Sequence, residues 1–297
     1  MTTVHLSGFG WLGSVLALHL DRRGIPFTWS DPDARRTSWR SSNGVVYPDG
    51  DADAQRDAAV WKIWERDGLL PSGTVAPALF AYSQKHPPHS GKYKPIRLWG
   101  DVHSSPPGLA YVVNVPDAVK ATRERFAALR LDSAPTDALV VESHGYGRRL
   151  DALEWGWTAT ARLRLPAPAQ RALDEVGGLQ LYGRVHRWEL AYATSVPGRY
   201  GTFRVGTSRI RARGFKPDAA AEHFAQRAQS LADLFPGVRV LDADAPEEGW
   251  RPVPRRGDDL MTRRIGGVLA LPSASHSGVR RAPTIIASAL RAIEKAM

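Results

Sequence analysis

The sequence predicts an α/β fold in two parts: a doubly wound parallel sheet that begins at the N terminus, and a second, mainly antiparallel sheet. Three observations carry the prediction. The first is the stretch VHLSGFGWLGSVLALHL, Val4 to Leu20, where a short apolar run turns through Gly8-Phe9-Gly10-Trp11-Leu12-Gly13 and continues at helical spacing. The second is the run from Ile25 to Ser30, which ends in Asp31, 18 residues beyond Gly13. The third is the alternation of apolar and polar residues over Trp155 to Leu165 and Leu179 to Ile210, the period of a half-buried strand.

Each glycine of the G-x-G-x-x-G pattern has its own physical role. Gly8 permits the tight strand-to-helix turn, Gly10 lets a pyrophosphate approach the backbone, and Gly13 lets helix and strand pack closely. The helix that follows would point the N–H groups of its first turn and its positive end at that phosphate. Asp31 stands near the spacing expected of an acid that holds an adenosine ribose. A βαβ unit that binds no phosphate is the alternative reading of the same residues.

At 297 residues the chain is long enough for about two domains. Hydrophobic content of 43% and charged content of 24% are ordinary for a soluble globular protein. No apolar run approaches the roughly 20 residues that a membrane helix needs. The N terminus enters a strand with no basic segment or cleavage-site pattern before it, so no secretory signal is expected. Cysteine is absent, which excludes disulfides, thiolate metal sites, cysteine nucleophiles and a cysteinyl-linked flavin. Lys and Arg number 40 against 30 Asp and Glu, a formal net charge of +10, and most of the basic residues are arginine. Arginine pairs stand at 22–23, 35–36, 148–149, 255–256, 263–264 and 280–281. A basic surface attracts polyanions. From charge alone, a nucleic-acid partner and a compositional bias of the genome are both open.

Along the chain, Ser41-Ser42-Asn43-Gly44 makes a turn before a short apolar run. Its small polar residues either offer backbone N–H groups to a ligand on the sheet's edge or form a plain surface turn. Asp51 to Gly68 reads as an amphipathic helix with Ala59, Ile63 and the core tryptophans Trp61 and Trp64 on one face. Pro71 to Pro107 reads as irregular, with His86, His89 and His103 beside Lys85, Lys92 and Lys94. These histidines lack ligand spacing, so a basic loop near a substrate entrance is expected there rather than a metal site. Leu109 to Val115 reads as a strand and Pro116 to Leu129 as a helix with proline at its start. Asp137 to Glu142 reads as a buried strand running into Ser143-His144-Gly145-Tyr146-Gly147, a second ligand-contacting edge in doubly wound sheets. Asp218 to Phe235 and Ala282 to Ala296 read as helices, with a last strand over Gly267 to Leu271. There is no Ser/His/Asp order, HExxH or P-loop lysine, so hydrolysis and phosphoryl transfer have no support.

The informative element comes late. Glu248-Gly249-Trp250-Arg251-Pro252-Val253-Pro254 is followed by a strand and then by Ser275-His276-Ser277-Gly278, with Ala282-Pro283 opening the final helix. A dinucleotide fold whose last helix returns to its first motif closes a cofactor pocket. Taken in order, the glycine turn with its acid, SSNGVVYP, VVESHGYGRRL, GWRPVP and HSGVRRAP resemble the D-amino-acid oxidase and glycine oxidase superfamily of FAD enzymes. The resemblance spans nearly the whole chain and is specific in those five patches.

The resemblance implies a Rossmann-like FAD-binding domain over 1–70, 116–154 and 215–297, with an antiparallel-sheet substrate domain over 71–115 and 155–214. It implies FAD contacts at Gly8, Gly10, Trp11, Leu12, Gly13, Asp31, Ser42, Asn43, Gly44, Ser143, His144, Gly145, Ser277 and Gly278. GWRPVP resembles the family's G-x-R-P, whose arginine clamps the substrate carboxylate, so Arg251 is the first catalytic candidate. A guanidinium fork holds a carboxylate bidentately, which lysine does less well. Tyr192 and Tyr200 are candidates by position for the tyrosine over the substrate, Tyr192 first. HSGVRRAP departs from the family's glycine-rich G-H-G, and Arg280-Arg281 replaces aliphatics, which implies a differently charged pocket mouth. Arg130 to Pro135 replaces a longer β-excursion.

In such enzymes hydride passes from a carbon bearing a neutral amine to flavin N5, water hydrolyses the imine, and dioxygen reoxidises the flavin. Within the superfamily the chain looks most similar to bacteriophage oxidases that act on glycine adducts of thymine in hypermodified DNA. That likeness implies an amino-acid-modified nucleobase in DNA or RNA as substrate, an aminomethyl base and glyoxylate as products, and a cytoplasmic location, a host's if the source is a phage. A small-molecule glycine, sarcosine or D-amino-acid oxidase is the alternative. A flavin- or nucleic-acid-binding protein without turnover is a third reading, against which Arg251 in its motif argues.

Overall fold

The structure, a computed structural model, describes residues 3–31, 39–40, 42, 44–46, 52–83, 94–143, 153–186, 189–206, 210–211, 220–252, 261–272 and 279–297. Within them the chain builds two main sheets. In the first, β1 (Val4–Ser7) lies between β2 (Phe27–Ser30) and β8 (Leu139–Glu142). Beyond β8 come β17 (Val268–Ala270) and β16 (Arg263–Ile265). β2, β1, β8 and β17 run parallel, and β16 closes the edge antiparallel. Ser7 is level with both Ser30 and Glu142, so three carboxyl ends finish together. The chain moves from β1 to β2 on one side and places β8 on the other. A doubly wound sheet offers its ligand crevice at such a reversal.

α1 (Trp11–Arg22) joins β1 to β2 and packs against α3 (Val115–Arg125) and α6 (Ala282–Ala296), while α2 (Ala52–Arg66) packs on α6. α1 buries Trp11, Val15, Leu16, Ala17, Leu18 and Leu20, the pattern of a helix enclosed by neighbours. Under it the fully buried His5 joins β1 to β2, its two ring nitrogens 2.9 Å from Thr28 Oγ1 and Ser30 Oγ. Burial holds its pKa below the ordinary value, because desolvation disfavours the charged ring.

The second sheet is organised on β9 (Leu153–Arg164). One edge of β9 pairs with β12 (Thr202–Gly206) and β13 (Ile210–Arg211), the other with β14 (Arg239–Ala243) and β15 (Glu247–Pro252). From β12 the sheet continues through β11 (Glu189–Ser195), β10 (Leu179–His186), β4 (Val75–Ser83), β6 (Val102–Ser104) and β5 (Ile96–Trp99). β7 (Ala110–Val113) ties the first half of β4 to β3 (Gly44–Val46). α4 (Ala167–Val176) and α5 (Ala220–Leu234) cover one face, where Leu173 and Leu231 join Ala161, Leu163, Leu181, Ala193, Phe203 and Val205 in one core. Because strand side chains alternate, the residues between these point to the opposite, inner face.

Several expectations are corrected. Pro71 to Pro107, read as irregular, carries β4, β5 and β6. Within β4, Pro77 pairs only with β7, in a stretch that β6 and β10 do not reach, so its missing N–H is tolerated. α4 lies between the two alternating segments and begins with proline at its first turn. On α2 the buried face holds Asp57, Trp61 and Trp64, whereas Ala59 and Ile63 face solvent. α5, β14 and β15 belong with the second sheet, because Phe224 meets Trp157 edge-on and both strands pair with β9.

Candidate functional site

The carboxyl ends of β1, β2 and β8 meet at the glycine turn. Gly8 adopts φ 96°, a left-handed conformation that glycine takes at no steric cost, and its N–H donates to Ser30 O at 2.8 Å. Gly10 caps α1 in an extended conformation, with no side-chain cap and no acid in the first turn. The first-turn amides of Trp11, Leu12 and Gly13 are the ones a helix leaves without intrahelical acceptors. A Cβ on Gly13 would stand 2.4 Å from the Gly8 carbonyl oxygen and 2.7 Å from Ser143 Oγ. Helix and strand therefore approach as only glycine allows. The Ser143 hydroxyl donates to the Gly8 carbonyl, so this residue braces the turn. The Trp11 ring stacks on Trp61, 6.0 Å between centroids, so only its backbone is turned to this end.

Asp31 follows β2 at the expected place, with its side chain 6% exposed and paired with Arg123 of α3. The same guanidinium donates to the Phe9 carbonyl at 2.8 and 3.1 Å and lies over the rings of Trp29 and Trp39. Trp39 leans over the turn: its Cδ1 is 3.3 Å from where a Cβ on Gly10 would sit. Ser42 is half-buried and donates its N–H to Trp39 O at 3.3 Å. Gly44 serves packing, since a Cβ there would meet Val113 O at 2.6 Å. An uncapped helix end, a turn built on three glycines and an acid beyond β2 fit the phosphates and ribose of a dinucleotide. Asn43, His144, Gly145, Ser277 and Gly278 lie outside the described residues.

The inner face of the second sheet carries a polar band across five strands. One row runs Tyr82, Tyr182, Tyr192, Gly206, Thr158, and the next runs Phe80, Gln180, Thr194, Arg204, Thr160. Thr158, Gln180 and Thr194 are 2%, 6% and 3% exposed. Thr158 Oγ1, Gln180 Oε1 and Thr194 Oγ1 have no hydrogen-bond partner among the described residues. Each such atom costs about 1–3 kcal/mol when nothing satisfies it, and three on one face call for a ligand or ordered water. Arg204 stands half-buried beside them. It donates to Arg40 O at 2.9 Å and stands 3.9 Å from Glu247. Burial pulls its pKa down while Glu247 and Asp117 favour the charge, and arginine stays cationic regardless.

Gly206 makes room for Tyr192. A Cβ there would be 3.3 Å from the Tyr192 hydroxyl and 2.8 Å from Thr158 Cγ2, so the phenol lies across the glycine toward Thr158. Tyr200, the other candidate, is 77% exposed in the turn between β11 and β12, its hydroxyl near Gln170 and Asp174. Arg251 sits in β15 opposite Glu154, and the ladder puts its position on the same face as Thr158. The structure describes the backbone there. Arg280 and Arg281, expected at a pocket mouth, are each 9% exposed. Arg281 pairs with the buried Asp57 of α2 at 3.2 Å, and Thr284 donates to the same carboxylate at 2.6 Å. Buried charges are held by such pairing, so this pair locks α6 to α2.

Sequence reasoning missed Trp39, Arg123, Thr158, Gln180, Thr194 and Arg204. The signal for the last four was present in part, as polar residues alternating with core positions in β9 to β12, but which face looks into the molecule is a tertiary matter.

No protein-family model matches the chain, and no curated protein matches it by sequence. Among solved structures it is similar to iminodiacetate oxidase from Chelativorans sp. BNC1, with TM-score 0.69 and 14% identity over 97% of this chain and 95% of that one. It is similar to glycine oxidase from Bacillus cereus ATCC 14579, with TM-score 0.63 and 14% identity over 100% of this chain and 96% of that one. Glycerol-3-phosphate dehydrogenase from Bacillus halodurans, complexed with FAD, matches with TM-score 0.59 and 14% identity over 100% of this chain and 65% of that one. The likeness shows the fold: a Rossmann-like domain joined to an antiparallel-sheet domain, in the arrangement these oxidoreductases share.

Proposed function

We propose that this chain is an FAD-dependent oxidase of an N-substituted glycine, and more specifically of a glycine-type adduct carried on a nucleobase. The observation that carries the oxidase reading is the bridge made by two consecutive residues. Trp39 lies on the glycine turn, and Arg40 gives its carbonyl to Arg204 on the inner sheet face. A turn suited to dinucleotide phosphates and a face with unpartnered polar atoms are thereby neighbours. Iminodiacetate is itself an N-substituted glycine, so likeness to an oxidase of that compound supports the substrate class.

Bound FAD would accept two electrons from the substrate, with dioxygen as the final oxidant. The chain's task is to hold and orient. Gly8, Gly10 and Gly13 would admit the pyrophosphate and Asp31 the ribose. Arg251 would fork the substrate carboxylate and fix the reacting carbon, a gain of several kcal/mol through orientation. Tyr192 would wall the pocket, and Thr158, Gln180 and Thr194 would meet polar atoms of the nitrogen substituent. The stoichiometry closes: R–NH–CH2–COO⁻, O2 and H2O give R–NH2, glyoxylate and H2O2. The C–H and N–H bonds are lost as the imine forms, and water adds to its carbon to release the amine.

The nucleobase reading is supported by the net charge of +10. The pair Arg280-Arg281 is buried and adds no basic surface, and the pairs at 148–149 and 255–256 lie outside the described residues. A base within a duplex would have to be flipped out or met on a single strand, at a few kcal/mol. The test compares hydrogen peroxide formation on free glycine, iminodiacetate and a glycine adduct of thymine within an oligonucleotide. We expect the oligonucleotide to be preferred at low salt, with the preference shrinking as salt rises. Equal turnover of the small acids with no salt dependence would leave a small-molecule oxidase. A colourless protein that cannot be reconstituted with FAD would end the oxidase reading.

A further inference from the structure

Trp39 is 5% exposed, yet its indole Nε1 has no hydrogen-bond partner among the described residues. Trp29 and Trp61, equally buried, give theirs to the carbonyls of Phe126 and Arg280. Two distances place the Trp39 ring beside the turn. Cδ1, the ring atom bonded to Nε1, lies 3.3 Å from the point a Cβ on Gly10 would occupy. Beside the ring the Arg123 guanidinium stands 5.1 Å from its centroid, held in turn by the Phe9 carbonyl and Asp31. α1 starts from the same glycine with no capping side chain and no acid in its first turn. A buried unpaired donor, the open amides of a helix end and a guanidinium thus converge on one turn.

We propose that Trp39 is a phosphate-binding residue, its indole N–H donating to a pyrophosphate oxygen of the dinucleotide held at the N terminus of α1. The inference rests on the FAD reading above. Indole is a donor only, so an anionic oxygen is its natural partner, and hydrogen bonds to charged acceptors are the strong ones. Arg123 acts as a positioning residue. Stacked on the ring and tied to β2 through Asp31, it keeps the indole over the turn.

The test uses the apoprotein, titrated calorimetrically with FAD, ADP and adenosine. Trp39→Phe keeps an aromatic ring and removes the donor. It should weaken FAD and ADP alike, by about tenfold to a hundredfold, the usual loss for a hydrogen bond to a charged group. Adenosine, which lacks phosphate, should bind both proteins equally. In 15N-labelled wild-type protein one indole N–H resonance should move downfield with ADP and stay in place with adenosine, a readout that holds even where the variant fails to fold. Unchanged ADP affinity in Trp39→Phe would overturn the assignment, as would an equal loss for adenosine, which would mean ring packing alone. Absence of any indole resonance responding to ADP would overturn it too. A wild-type apoprotein that binds neither FAD nor ADP would remove the cofactor reading itself, and Trp39's role with it.

Discussion

The glycine turn and the inner face of the second sheet are built in opposite ways. The turn comes from one run of chain, Ser7 to Ser14, and works through backbone: bare glycines, open amides and a helix end. The face comes from β4, β10, β11, β12 and β9, and works through side chains brought level by strand register. At the turn a side chain is an obstacle. On the face, the buried oxygens of Thr158, Gln180 and Thr194, unpartnered among the described residues, are the feature itself. A site for a shared cofactor fragment can be made by any sequence that keeps three glycines in place. A site for a particular substrate needs several distant segments to agree.

The largest effects should break the turn, and they separate the role of Gly10 from that of Gly13. Gly10→Val should abolish flavin retention while leaving the protein folded, because its side chain displaces Trp39 and fills the phosphate's approach. Gly13→Ala should act on folding instead, since its Cβ would meet the Gly8 carbonyl at 2.4 Å. We expect a loss of about 3 kcal/mol, the upper range for overpacking, read from urea unfolding. If Gly10→Val keeps its flavin, the turn is no dinucleotide cradle.

Next comes the register of β15. If Arg251 forks a carboxylate, Arg251→Lys should lower kcat/KM on the acid substrate by about a hundredfold, because the charge stays while the bidentate geometry goes. A decarboxylated amine should react poorly with both proteins and to the same extent. Equal activity on the acid would move the clamp elsewhere, and the half-buried Arg204 would be the next residue to vary.

The smallest effect sharpens the comparison most. Thr158→Val is nearly isosteric and removes a buried hydroxyl that lacks a partner among the described residues. Unliganded protein should gain about 1 kcal/mol in denaturant unfolding, while KM for the substrate rises. A gain in stability together with weaker binding is what a ligand-facing polar atom predicts. A loss of stability would show that water or protein already satisfies the hydroxyl.

How much of this was legible varies from segment to segment. Strand, turn, helix and acid from Val4 to Asp31 could be read outright, because steric demands on glycine and helical periodicity act within a few residues. α6 was read at its observed bounds, Ala282 to Ala296, with proline in its first turn. β4 was not read as a strand, and its tolerance of Pro77 depends on a partner strand more than thirty residues away in sequence. Arg280-Arg281 looked like surface charge, since nothing local announces that Asp57, on another helix, waits to receive Arg281.

By itself, then, the sequence determined the doubly wound start, the glycine cradle and the alternating strands, all consequences of local backbone geometry and side-chain period. Only the tertiary structure decided that Tyr192 rather than Tyr200 turns inward, that Thr158, Gln180 and Thr194 share one buried face, and that Trp39 leans on Gly10. Those outcomes depend on which strands pair, in what register and under which helices. Contacts between segments far apart in the chain decide that, and local pattern does not encode them.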